Sequence, residues 1–536
     1  MFTKHSPALI FLLTLALAGC GQATDTPVVA EQAADNASEH AGIQWYDGTI
    51  DDAFALAKDE NKPLFFYWGA VWCPPCEQIK ETVFKHPAFL AKSSLFVPVY
   101  MDGDTERAQS WGEHFAVSGY PTMIVFTPTG DEITRIPGWI DSNQYLNVLQ
   151  QALDDPTSTE VLLHQALANP GSISADAYTR LAFYSWDQAN FSGDFTLDAD
   201  MFRNLAAAAK QAGNQVAWSR LSFHALYAAA VAHDDAGTEM ATADQQMARQ
   251  DLTAIFADPD LVLANSDYLL LYFEDFVPLL AAEGAERDLL GAQWEATMAT
   301  IRNAPQLSGA EHIASWYTGI TRYFMNNPDA ASLPPAMEQE IIAYIDSVEG
   351  ATRGEARQNV VNTSYQVLEE MKRNDLARTL LLAELEKSRA PYYFMSSLGD
   401  LEEEEGNNEA AVDWHRRAWE GSNGEATRFQ WGYQYVDSLA RLAPDQGSLI
   451  VATSERLLGE FTEPENVLTG RNFDRLMRLF DTLDEWQGST AVSAGDKSAL
   501  HDIYSGVEQL CTTTDPDSES AQHCLKLQQA GFSFLL

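Results

Sequence analysis

Two thiols three residues apart, in Trp72-Cys73-Pro74-Pro75-Cys76, are the side chains of this sequence best suited to chemistry. Cysteines at that spacing are within bridging reach, so the pair can hold or release two electrons as a disulfide. They follow an apolar run, Leu64 to Trp68, and precede a helical pattern. A cysteine at a helix N-terminus faces unpaired backbone N–H groups and the positive end of the helix dipole, and both favour thiolate over thiol. Cys73 is therefore expected to attack, and Cys76, one turn on, to resolve a mixed disulfide. The two prolines stiffen the loop and remove two N–H donors, which argues against a strong oxidant with a very acidic thiol. An inert structural disulfide or half of a zinc site are the competing readings. Zinc needs further ligands, and no second Cys-x-x-Cys or histidine cluster supplies them, so neither metal nor cofactor is expected.

The elements around the motif alternate between helix and strand. Ile50, Ala53, Phe54 and Ala57 recur at helical spacing, which predicts a helix over residues 50 to 60, closed by Asn61-Lys62-Pro63. Leu64 to Trp68 reads as a buried strand. A helix carrying Ile79, Val83 and Phe84 on one face stops near His86-Pro87. Leu95 to Met101 predicts a second buried strand, where Pro98 points to an edge or bulge. Thr122 to Phe126 and Glu132 to Ile136 form a predicted hairpin around Pro128-Thr129-Gly130, and Asn143 to Leu153 a last amphipathic helix.

With this order of elements, residues 41–155 resemble the thioredoxin superfamily. The likeness rests on Trp72-Cys73-Pro74-Pro75-Cys76 and on Gly119-Tyr120-Pro121-Thr122, with 45 residues from Cys76 to Pro121. It implies an α/β thioredoxin fold in which Pro121 is cis and faces the disulfide. Trp72, Tyr120 and Pro121 would then hold the substrate, whose chain pairs with the neighbouring backbone. Gly138 matches a family glycine beside the site. The wording around Lys62-Pro63 and Trp-Cys-x-x-Cys-Glu is similar to that of bacterial periplasmic reductase domains. One departure stands out: the family's buried carboxylate, six residues before the first cysteine, is Tyr67 here. Tyrosine is a poor base at neutral pH, so proton transfer to or from Cys76 would fall to water or to another group, with Glu77 the nearest candidate.

The N-terminus reads as an address. Lys4 and His5 precede an apolar stretch from Ala8 to Ala18, too short to span a bilayer but suited to a signal segment. Its end, Leu17-Ala18-Gly19-Cys20, resembles a bacterial lipobox, which implies a signal peptide at 1–19 and a lipidated Cys20. Residues 20–40 are then a flexible tether to a membrane of a Gram-negative-type envelope, the outer membrane being favoured because Gly21 replaces aspartate. Removing Cys20 from the five cysteines leaves two pairs, Cys73/Cys76 and Cys511/Cys524. The second pair flanks a polar loop and is expected to be a structural disulfide.

With 33 basic and 77 acidic residues the formal charge is −44, and so acidic a surface disfavours nucleic acid. The 536-residue length is too great for one core. Residues 156–536 lose the strand pattern and read as a large all-α region with tetratricopeptide-like repeats. Tyr365, Leu368, Asn374 and Ala377 recur 33 residues later as Leu398, Leu401, Asn407 and Ala410. A compact helical bundle is the alternative. The aromatic-dense stretch from Tyr392 to Tyr435 is read mainly as helix core.

Together these features predict a membrane-anchored periplasmic thiol–disulfide oxidoreductase that reduces disulfides. Its partners would be a disulfide-containing envelope protein or a small thiol, and an envelope electron donor. The alternative is a non-catalytic binding scaffold whose thioredoxin-like unit is an adaptor.

Overall fold

The computed structural model describes residues 42–189, 191, 195–489, 492–515 and 518–532. The signal segment, the tether and Cys20 lie outside these residues.

Apolar strands of the central type assemble into a four-stranded sheet in the order β2-β1-β3-β4. Its strands are β1 (Leu64–Gly69), β2 (Val97–Asp102), β3 (Thr122–Phe126) and β4 (Glu132–Ile136). β1 pairs parallel with β2 and antiparallel with β3, and β3 pairs antiparallel with β4. Every residue of β1 is buried because both faces of the sheet are covered. Phe65 and Tyr67 face the side of α2 (Pro74–Ile79) and α5 (Ser142–Asp154). Leu64, Phe66 and Trp68 face the side of α1 (Ile50–Glu60) and α4 (Glu106–His114). α1 starts where Thr49 accepts the Asp52 N–H and ends at Asn61 in the left-handed conformation.

β2 begins at Val97, two residues later than its apolar pattern suggests. Ser93–Leu95 form a 3-10 turn that ends α3 (Pro87–Lys92), and Leu95 is half exposed. Pro98 does sit on an edge strand, where the Tyr46 N–H donates to its carbonyl (2.8 Å). The helix after the motif is also not uniform, since α2 passes at Lys80–Phe84 into a π turn.

Beyond α5 the described chain is helical, and its first helices are built onto the outer strand β4. The Ser185 N–H donates to the Arg135 carbonyl (3.0 Å), and Thr159 Oγ1 to the Ile133 carbonyl (2.9 Å). Arg180, 1% exposed, donates to the carbonyls of Ile133, Asp155 and Thr157. One hydrophobic core runs from this face of the sheet into the helices as far as Ala314.

Further on, helices Ala356–Glu370 and Asn374–Glu384 form one pair, and Pro391–Glu404 and Asn408–Gly421 the next. The repeat is 34 residues long, one more than the sequence alignment gives. Left-handed turn residues Lys372 and Gly406 correspond, as do buried Ala377 and Ala411, Leu381 and His415, and Glu384 and Ala418. Small residues adjacent in sequence (Ala410 beside Ala411) made the one-residue slip invisible without burial. Among the described residues no helix is long and apolar enough to cross a membrane.

Candidate redox site

Cys73 caps α2, and Pro74 and Pro75 fill the first helical positions, where a missing N–H costs least. The first remaining donor, the Cys76 N–H, points at Cys73 Sγ (3.2 Å). The sulfurs of Cys73 and Cys76 are bonded, with Cα atoms 5.2 Å apart. The Tyr120-Pro121 bond is cis. A Cβ on Gly138 would stand 2.5 Å from Pro121 Cγ, so glycine is what allows the Pro121 ring its place.

Beneath the motif, Tyr67 is fully buried, stacked on Tyr100 (centroids 5.5 Å apart) and edge-on to Phe84 (4.7 Å). It occupies the carboxylate position as a core aromatic. The nearby ionic group is one that the sequence reading found only in half. Glu77, the candidate for proton transfer, is buried, and its Oε1 is 2.8 Å from Nζ of Lys80, which is fully buried. Lys80 stands one helical turn from Cys76, and that i,i+4 spacing was the available signal.

The wall of the site comes largely from the helical region, whose placement no local sequence pattern indicates. Trp72 Nε1 donates to Asp104 Oδ1 (3.0 Å) and to Thr427 Oγ1 (3.0 Å), and Thr427 also bonds Asp104. Gln358 Nε2 donates to the Trp72 carbonyl (2.7 Å). Trp431 meets the Trp72 ring edge-on, and the Arg471 guanidinium lies over Tyr120 (4.4 Å) and Trp72 (5.8 Å). On the flanks of α2, Gln78 bonds Asn359 and Glu311, and Lys85 pairs with Glu355 (2.7 Å). α4 is held through Glu113, which accepts the Gly470 N–H (2.7 Å) and faces His523 Nδ1 (3.2 Å). Gly470 has φ +48°, and its Cβ would lie 2.8 Å from the Gln109 carbonyl, so this close approach also needs glycine.

As a result Cys73 is 3% exposed and Cys76 fully buried, and both belong to the same apolar cluster as Tyr392, Trp431 and Phe473. Trp72 and Pro121 are buried and Tyr120 partly so. The residues expected to hold substrate are therefore brought together, but they are covered by the chain itself. Burial, with the charge of Asp102 second, pushes the Asp104 carboxyl up to about 7. Burial also raises the Tyr120 hydroxyl. Cys511 and Cys524 form a second disulfide (Cα–Cα 5.7 Å), between the end of helix Ala494–Leu510 and helix Glu519–Gln529.

Comparison with known proteins agrees with this geometry for one part of the chain. Residues 50–153 match the family model described as Thioredoxin-like domain. The Thiol:disulfide interchange protein DsbD of Actinobacillus pleuropneumoniae is 28% identical over 118 residues, 21% of this chain and 20% of that protein. DsbD 1 of Pseudomonas aeruginosa is 28% identical over 107 residues, 19% and 18% of the two chains. Thioredoxin H4 of Arabidopsis thaliana is 32% identical over 84 residues, 15% of this chain and 65% of that one. The chain thus spans about a fifth of the length of the DsbD relatives. Among solved structures, one titled DsbH Oxidoreductase aligns with 16% identity and a TM-score of 0.19, covering 25% of this chain and 95% of its own. Residues 50–153 are a thioredoxin-like domain with a Cys-x-x-Cys disulfide, and a large helical region is built onto it.

Proposed function

We propose that this protein is a thiol–disulfide oxidoreductase of a bacterial envelope, tethered by a lipid on Cys20 and working in the reducing direction. The observation that carries the reading is the Cys73–Cys76 bridge at the start of α2 in a thioredoxin-like domain whose Tyr120-Pro121 bond is cis. An envelope dithiol would reduce the bridge. The Cys73 thiolate would then attack a substrate disulfide, and Cys76 would close the bridge again and release the reduced product. The helical region, with tetratricopeptide-like helix pairs, selects what reaches the motif, because it supplies Gln358, Thr427, Trp431 and Arg471 to the wall. The relatives named for thiol:disulfide interchange support the reaction class.

The test is disulfide reduction by the purified chain without residues 1–20, beside Cys73→Ser. Loss of turnover in Cys73→Ser is expected, and equal turnover in the two proteins would refute the reading. In cells, Cys76→Ser is expected to accumulate mixed disulfides on Cys73 that identify the substrate.

The burial of the motif favours a second reading, a non-catalytic scaffold with a structural bridge. A reduction potential below about −300 mV, with no trapped adducts, would select it.

A further inference from the structure

The helical region has a hollow of its own, about 160 Å³ in volume and lined by no residue of the redox motif. Three helices line it: Ala199–Gln211, Gln215–Ala236 and Thr242–Phe256. Trp218, Phe223, Leu226 and Ile255 form a buried apolar floor. Met247, 46% exposed, lies where the hollow opens to solvent, and Ala207, also exposed, is part of the wall. An apolar cavity of roughly 150 Å³ takes a benzene ring, so a single ring fits here. The unbranched, polarisable side chain of Met247 suits contact with such a guest.

The mouth is charged. Arg203 and Lys210 stand two turns apart on the first helix, and Asp244 and Asp251 stand across from them on the third. The pairs across the mouth are loose. Arg203 Nη2 is 3.5 Å from Asp244 Oδ2, and Lys210 Nζ is 3.7 Å from Asp251 Oδ1. A charge-assisted hydrogen bond closes to about 2.7–2.9 Å. Arg203 is held instead by Asp200, and Lys210 lies over the Trp218 ring, 3.8 Å from its centroid. Asp251 is left under-compensated: burial raises its carboxyl, although Lys210 and the Trp218 side chain pull the other way. With Asp200, three carboxylates here face two cations, on a chain of net charge −44.

We propose that this hollow binds a small amine with an apolar body one ring in size. Its ammonium sets on Asp251 over the Trp218 face, and its body packs among Phe223, Leu226 and Ile255. A cation there meets both a carboxylate and the negative face of an indole. Lys210, half exposed, gives up that place by turning to solvent. An anionic ligand would meet three carboxylates, and a neutral one would leave Asp251 uncompensated. The site uses no residue of the motif and does not depend on the redox reading.

The test titrates the chain without residues 1–20, carrying isotope-labelled methionine methyl groups, with phenethylamine, phenethyl alcohol or hydrocinnamate. The Met240 and Met247 methyl signals, assigned through Met240→Leu and Met247→Leu, report a ring in the hollow. Phenethylamine is expected to shift both saturably and to bind about tenfold more tightly than the alcohol or the acid. Asp251→Asn is expected to remove that preference while the alcohol binds as before. Lys210→Gln, which removes the competing ammonium, is expected to strengthen amine binding. Ala207→Trp and, from the opposite helix, Ala248→Leu fill the space and are expected to abolish the shifts. Amine shifts that do not saturate, that persist in both filled variants, or that the alcohol matches in affinity overturn the proposal.

Discussion

Trp431, from the helical region, stands edge-on to Trp72 of the redox motif, with ring centroids 6.1 Å apart and planes at 80°. Both indoles are buried, so each is part of the other's packing. Trp431→Ala is expected to cost about 3–5 kcal/mol in denaturant unfolding. It is also expected to quicken reduction of the Cys73–Cys76 bridge by a protein dithiol. A stopped-flow comparison of a protein dithiol and dithiothreitol checks this, and the gain should be larger for the protein.

Gly138→Ala places a methyl group 2.5 Å from Pro121 Cγ. The methyl group and the buried Pro121 ring cannot both keep their places, so a loss of about 1–3 kcal/mol is expected, with slower reaction toward any disulfide. Thermal unfolding and single-turnover oxidation are the two measurements.

The buried pair Glu77–Lys80 gives a double-mutant test. Lys80→Met leaves the Glu77 carboxylate in a dry site without this cation and is expected to cost about 3–5 kcal/mol. Adding Glu77→Gln should recover much of that loss. A Glu77→Gln/Lys80→Met protein as unstable as Lys80→Met would show that the two act separately.

Stability should fall as pH rises above about 6.5. Burial pushes the carboxyls of Asp104, Glu311 and Glu369 up to about 7, whereas in the unfolded chain they titrate near 4. Between those values the folded state binds protons that the unfolded state has lost, so unfolding gains with each step toward pH 7. Carboxylates held low, such as Asp155 by Thr157 and Asp375 by Arg373, titrate below this window. The buried neutral imidazoles of His224 and His415, lowered to about 3 and about 4 by burial, act in the opposite sense up to about pH 6.5. The melting temperature is therefore expected to decline from pH 6.5 to pH 8, and the decline to be shallower in Asp104→Asn.

The Cys511–Cys524 bridge spans a sequence separation of 13 and lies outside the motif's hydrogen bonds. Cys511→Ser with Cys524→Ser is expected to lose about 3 kcal/mol of stability. Turnover at Cys73 should persist. Loss of turnover in the folded double variant would mean that this bridge relays electrons.

What the sequence disclosed about the site was local. Cys73 and Cys76 sit at the junction their neighbours predict, and β3 and β4 have the predicted bounds, because short-range periodicity and turn residues determine them. Tyr67 could be placed under the motif by spacing alone. The cover could not be read. Thr427, Trp431 and Arg471 lie more than 300 positions from Trp72, and each has an ordinary local role as a helix residue. Their meaning comes from tertiary contacts between helices and motif residues far apart in the chain, which no local pattern states. Leu95 misled for the opposite reason. Its apolar side chain extends the strand pattern, yet the 3-10 turn leaves it half exposed.

Arg180 has a consequence for how the molecule can be divided. Its guanidinium supplies hydrogen bonds to three carbonyls on β4 and on the segment after α5, and burial lowers it to about 10. A fragment cut after residue 155 would leave the Ile133 carbonyl without these donors, and would bare the apolar face that Leu162, Leu163 and Tyr178 cover. The thioredoxin-like part is therefore not an excisable module. It should melt together with the helices that follow it, in one transition, and a protease should find no cut near residue 155 that releases a folded piece.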